Sequence, residues 1–178
     1  MALTPIQTET YEKITTQITL PVTEKCTVES VKAFMFEPEC IININPLVIS
    51  CVKLPPKDSV DVSYEVEDEV VLLGGLTTTK SKYTADFTMI GNEMRVKTAA
   101  GLGVSTVSLH TIEQIGDEIV VTEDCMPTVP FLLRRLVIHT IKQAHFKMFD
   151  RILEKFTTSS EEQVKEHIEG QTYDKLEE

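Results

Sequence analysis

The chain has 178 residues, 42% apolar and 25% charged, which is enough for one domain with a substantial core and short for two. Its formal net charge of −11 lacks the positive surface that phosphate binding requires, so nucleic acid is not an expected partner and docking on anionic lipid is disfavoured. No stretch approaches the ~20 apolar residues that span a bilayer, and residues 1–10 lack the basic-then-apolar order of a secretory signal, so the expected location is cytoplasmic. Cys26, Cys40, Cys51 and Cys125 form neither a C-x-x-C pair nor a metal-ligand spacing with histidine. They read as buried free thiols in a reducing compartment.

In chain order, the β-branched run Tyr11 to Val22 predicts a first strand. Thr27 then caps a short helix whose apolar residues Val28, Val31, Phe34 and Met35 recur at helical spacing. Pro38 ends it, and Glu39 to Ile44 predicts a second helical segment before Asn45-Pro46. From Leu47 to Val121 the period changes to alternation. A strand over Val48 to Leu54 is followed by Val60, Val62, Tyr64 and Val66 on one face against Asp61, Ser63, Glu65 and Glu67 on the other. Tyr83, Ala85, Phe87 and Met89 repeat that pattern, and Gly91-Asn92 turns the chain into Met94, Val96 and Thr98. Two more strands, Leu102 to Ile112 and Glu118 to Cys125, flank a Gly116-Asp117 turn. Gly74-Gly75 and Gly101-Leu102-Gly103 read as turns or bulges, since neither continues as a phosphate-binding loop. The helical period returns from Val129 to Phe156, with Thr128 as cap and Pro130 in the first turn. The remaining residues 157–178 read as an acidic tail, with a short helix capped by Ser160.

This order, one strand, two short helices, about six consecutive antiparallel strands and a long C-terminal helix, resembles the START-like or Bet v 1-like superfamily of polyketide cyclase/dehydrase and lipid-transport type. The local match is Val31-Lys32-Ala33-Phe34-Met35-Phe36-Glu37-Pro38 with Asn45-Pro46-Leu47-Val48, and the resemblance covers about residues 10 to 156. Ala99-Ala100-Gly101-Leu102-Gly103 and the Ala144-His145 pair look like small fungal single-domain members. The resemblance implies an α+β helix-grip fold in residues 1–156: a curved antiparallel sheet of about seven strands, two short helices, and one long helix lying across a cavity. It also implies a hydrophobic ligand, or cofactor-free chemistry on one. It carries over no universal catalytic residue.

At 100° per residue, Arg134, Ile138, Ile141, His145, Met148 and Ile152 form one stripe of the long helix, with Phe149 and Phe156 beside it. His145 at mid-stripe is suited to general acid–base chemistry in a dry pocket, or to a core role with one hydrogen-bond partner. Arg134 is placed to meet a ligand carboxylate or enolate oxygen, or to reach solvent or pair with Glu123 or Asp124. His139 lies about 120° round the helix from His145, so the two do not chelate one ion, and no metal site or cofactor is expected. Tyr64 and Tyr83 stand on the apolar strand faces, where each hydroxyl needs a partner; Tyr83 is the second catalytic candidate after His145. Tyr64 and Phe87 join Arg134, Ile138, Ile141, Met148 and Phe149 as expected ligand-binding residues. The inward face of the strands carrying His110 and Glu123 stays open, because both alternating sets contain apolar residues. Cys125 is the thiol to examine for reactivity. Leu132, Leu133 and Leu136 lie off the stripe and need cover, from apolar residues of the acidic tail or from a second subunit, so a homodimer is an expectation.

The expected function is therefore the binding of a lipid, terpenoid or polyketide-type metabolite between sheet and long helix. The alternative is a cofactor-free cyclase, isomerase or dehydratase with His145 as acid/base and a tyrosine or Arg134 stabilising an oxyanion. A third reading is an interaction module whose acidic tail binds a basic partner.

Overall fold

The computed structural model describes residues 8–11, 13–72 and 77–173, so the Gly74-Gly75 turn lies outside the described residues. The elements in chain order are β1 (Thr8–Thr10), β2 (Ile14–Pro21), α1 (Val28–Met35), α2 (Pro38–Ile44), β3 (Val48–Lys53), β4 (Val62–Leu72), β5 (Thr77–Ile90), β6 (Glu93–Ala100), β7 (Ser105–Ile115), β8 (Glu118–Pro130) and α3 (Arg134–Tyr173). All strand pairs are antiparallel, in the order β1-β8-β7-β6-β5-β4-β3, with β2 also on β8. β1 and β2 share one lane, which gives seven lanes and a long helix across them: the helix-grip arrangement.

The predicted first strand begins at Ile14 rather than Tyr11, and a short strand the sequence reading did not include, β1, precedes it. Thr10 pairs with Thr128 and Ile14 with Cys125, so one lane carries one residue more than the other over this span. Pro127 lies at that bulge, where its missing N–H costs no ladder bond and its carbonyl accepts from the Tyr11 amide at 2.9 Å. Both predicted hairpins are tight turns. Gly91 (φ +62°) and Gly116 (φ +63°) take the left-handed first position, as a type II′ turn asks.

Other expectations shift at element ends. β8 continues to Pro130, so Thr128 pairs with Ser105 rather than capping the long helix, and Pro130 is extended (φ −60°, ψ 138°) rather than helical. The reason is the unbroken alternation of buried Ile119, Val121, Cys125 and Val129, which holds the segment in the sheet. A 3-10 turn at Phe131–Leu133 then leads into α3. The α3 backbone runs on through Ser160 to Tyr173, so Ser160 caps no separate helix. Residues Gly101–Gly103 form a 3-10 turn ahead of β7, and Met89 is exposed at the end of β5 rather than inward.

The cap on α1 is as expected and is reciprocal. The Thr27 hydroxyl accepts from the Ser30 amide at 3.1 Å and the Ser30 hydroxyl accepts from the Thr27 amide at 3.0 Å. Pro38 both stops α1 and opens α2 as its first residue. The core lies between these two helices, the concave sheet face and the middle of α3, where Met148, Phe149 and Ile152 pack on Val31, Met35, Val66 and Phe87. The Arg151 guanidinium donates to the Ile44 carbonyl at 2.9 Å, and the Phe34 and Phe156 rings meet edge to face at 5.8 Å, tying α3 to α1 and α2. All four cysteines are free, as read from the sequence; Cys26 and Cys125 are buried, whereas Cys40 and Cys51 are half-buried. Among the described residues no helix is long and apolar enough to cross a membrane.

Candidate functional site

Further toward the N-terminus of α3 the helix presents small side chains. Val137, Thr140 and Ala144 stand opposite Ala85, Thr98, Ala100 and Ser108 of the sheet, and facing small residues leave volume unfilled. The result is a cavity of about 440 Å³, of the size and apolar lining expected for a drug-sized ligand. It opens to solvent at Leu102 and Leu136, which line it and remain 68% and 42% exposed.

Tyr83, Phe87, Ile141, His145 and Met148 line this cavity; Tyr64, Phe149, Arg134 and Ile138 are placed elsewhere. Tyr64 and Phe149 are packed in the core, Tyr64 edge-on to Phe87 with its hydroxyl donating to Glu39 Oε1 at 3.2 Å. Burial and the Glu39 carboxylate push the Tyr64 hydroxyl up to about 12. The Arg134 guanidinium stacks over the Tyr11 ring at 4.5 Å, while Asp124 pairs with Lys13 at 2.8 Å and Thr15 at 2.6 Å. Because α3 starts five residues later than expected, its sheet-facing line begins Leu133, Val137, Thr140 and not Arg134, Ile138. Leu133 and Leu136 thus line the cavity, and Leu132 is the leucine left 92% exposed.

Both residues that sequence reasoning left open turn inward. His110 and Glu123 are directly opposed across β7 and β8 and are each 2% exposed; Ser108 and Cys125 are opposed two residues along. His145 reaches this group from α3, its Nδ1 2.8 Å from Glu123 Oε2, while His110 Nε2 lies 3.7 Å from Glu123 Oε1. The carboxylate oxygen sits off the line of the Nδ1–H, so the contact is close without being an aligned hydrogen bond. Burial opposes ionisation of Glu123, but the two imidazoles and the Ser108 hydroxyl outweigh it and hold the carboxyl well below its usual range. For His110 burial wins over the Glu123 charge, favouring the neutral ring. Cys125 is not activated: burial, against hydrogen bonds from Ser108 and Thr106, pushes its thiol up to about 11.

Glu123, Cys125 and His145 place donor atoms within 4.8 Å of one another. Two ligands of one tetrahedral zinc ion stand roughly 3.3 Å apart. The 2.8 Å separation of His145 Nδ1 and Glu123 Oε2 is shorter than that and places the two atoms in direct contact with each other.

A second polar pair occupies the β4–β5 wall. The Tyr83 hydroxyl donates to Asp68 Oδ1 at 3.2 Å, and both residues line the cavity. Burial raises Asp68 to about 6, partly offset by that hydrogen bond, and raises the Tyr83 hydroxyl strongly. Sequence reasoning missed Asp68, although the alternation Val62, Tyr64, Val66, extended by one step, puts it inward.

A curved antiparallel sheet gripping one long helix across a cavity is the fold of START-like and Bet v 1-like proteins. Within that class, the chain belongs to the family of the domain of unknown function DUF7053, whose model matches residues 9–158. No curated protein matches it. Solved structures with the same fold include a START superfamily protein from Mycobacterium smegmatis (12% identity, TM-score 0.59, covering 82% of this chain and 99% of that one). Norcoclaurine synthase from Thalictrum flavum, as a point mutant with a transition-state analogue, is 15% identical at TM-score 0.60, covering 87% of this chain and 99% of that one. The Zhui aromatase/cyclase from Streptomyces sp. R1128 is 8% identical at TM-score 0.62, covering 83% and 93%.

Proposed function

We propose that this protein encloses a hydrophobic small molecule of lipid, terpenoid or polyketide type between sheet and long helix. The observation that carries the reading is the cavity of about 440 Å³ whose apolar walls hold a few convergent polar groups. Titration with Nile red, a neutral apolar dye, tests it: saturable one-site binding is expected, lost on Val137→Trp and Ala144→Leu, which fill the space. Dye binding that survives both substitutions unchanged sinks the reading. The His145–Glu123 pair favours a second reading for the same cavity, cofactor-free chemistry of the cyclase, isomerase or dehydratase kind.

A further inference from the structure

We infer that Glu123 fixes the tautomer of His145 so that its Nε2 acts as a general base toward a carbon acid held in the cavity. The inference deepens the ligand-binding reading and rests on it.

The side chain of Glu123 is 3% exposed and that of His145 18%, so the contacting oxygen and Nδ1 are sealed while the ring still meets the cavity. A sealed carboxylate beside Nδ1 holds the ring proton on that nitrogen and leaves the lone pair on Nε2, the edge away from Glu123. The groups facing the ring from the sheet are Glu123 and Cys125 of β8 and His110 of β7. Of these, the thiol is pushed up by burial and burial disfavours the charged form of His110, so the carboxylate is the charge that acts most directly on the base. When Nε2 takes a proton, the imidazolium forms against that charge in a dry wall and is stabilised there. His110, directly opposite Glu123 in the sheet, stands beside the other carboxylate oxygen, its Nε2 3.7 Å from Oε1.

The reaction class follows from these parts. The base removes a proton from a carbon next to a carbonyl; the electron pair becomes an enolate. Where the enolate is conjugated with a C=C bond, the imidazolium returns the proton at the far carbon, which is an isomerisation. Alternatively the α-carbon attacks a second carbonyl of the same molecule and the alkoxide so formed takes the proton from the imidazolium, which is a cyclisation. Neither needs an oxidant or a cofactor. His145 is the catalytic residue and Glu123 a positioning residue.

The test needs no knowledge of the natural substrate. With 5-nitrobenzisoxazole, Nε2 would take the ring C–H proton, the C–H electrons would complete a nitrile, and the N–O bond would break to give a coloured phenolate; the imidazolium then returns its proton to water. Turnover above buffer is expected, with kcat falling tenfold or more in His145→Gln and Glu123→Gln and KM moving only a few fold. Long-range imidazole nitrogen spectra should show His145 with its proton on Nδ1 in the native protein and a mixture of tautomers in Glu123→Gln. Failure to bind Nile red overturns the ligand reading itself. Dye binding with a proton on Nε2 in the native protein, or with undiminished turnover in both variants, overturns only the base. Micromolar zinc binding that displaces the Nδ1 proton would also overturn it, making the group a metal site.

Discussion

Asp68 and Glu123 are two carboxyls on one cavity wall with opposite linkage to stability. Burial opposes ionisation of Glu123 but its imidazole partners hold it low, so its contribution is present above the ordinary glutamate value of 4.5 and is lost as pH falls from there toward about 2. Asp68 is raised from 3.8 to about 6, so between those values the folded state keeps a proton that the unfolded state has released. Stability from this group is therefore lost as pH rises through that window and stays lost above it. The full shift corresponds to about 3 kcal/mol, reduced because the carboxyl opens on a cavity that admits water. Asp68→Asn keeps an acceptor for Tyr83 and removes the titration, so it should stabilise the protein by about 1 kcal/mol at pH 7.5 and by little at pH 4. Urea denaturation at the two values checks this; equal effects at both would show that the carboxyl is not shifted. Leu102, at φ +59° on the cavity rim, is a second strained position. Leu102→Gly should relieve about 1 kcal/mol in the same assay while widening the mouth.

At the scale of elements, α3 carries a cavity-spanning segment followed by an anchored one. Ile152 is fully buried in the core, whereas Thr140 faces the cavity. Ile152→Ala should cost about 2–5 kcal/mol and Thr140→Ala less than about 1, because the second removes atoms that already border a void. Hydrogen exchange should follow the same gradient, with earlier loss of protection toward Arg134. The period changes along the chain made both halves of this architecture legible: alternation through β4 to β7, helical spacing from Ile141 onward. What misled was local chemistry at a boundary. Thr128 and Pro130 are a good helix start in isolation, yet the buried phase of β8 already claimed them, and rotating the first turns moved Arg134 and Ile138 off the cavity wall. His110 and Glu123 were illegible for a related reason. A strand paired on both sides carries apolar residues in both phases, so only its register against β7 fixes which phase is inward.

For the molecule as a whole, cavity, charge and stability are coupled. Tyr83 on β5 and Glu123 on β8 lie three lanes apart, roughly 14 Å along the sheet. An apolar ligand filling the space between them would cover Asp68 and displace its water. Covering a carboxyl favours its protonated form, so ligand affinity should rise as pH falls through about 6. Neighbouring charges do not reverse that sign: the hydrogen bond that faces Asp68 comes from Tyr83, which stays protonated, and Lys80 on the same wall is paired with Glu67 at 3.4 Å. A neutral ligand at a hundred times its Kd adds about 2.7 kcal/mol of stability. Thermal unfolding with saturating Nile red should therefore show a larger rise in Tm at pH 5 than at pH 7.5, and Asp68→Asn should make the two rises equal. A native protein whose ligand-induced rise is the same at both values would mean that the ligand sits away from the β4–β5 wall.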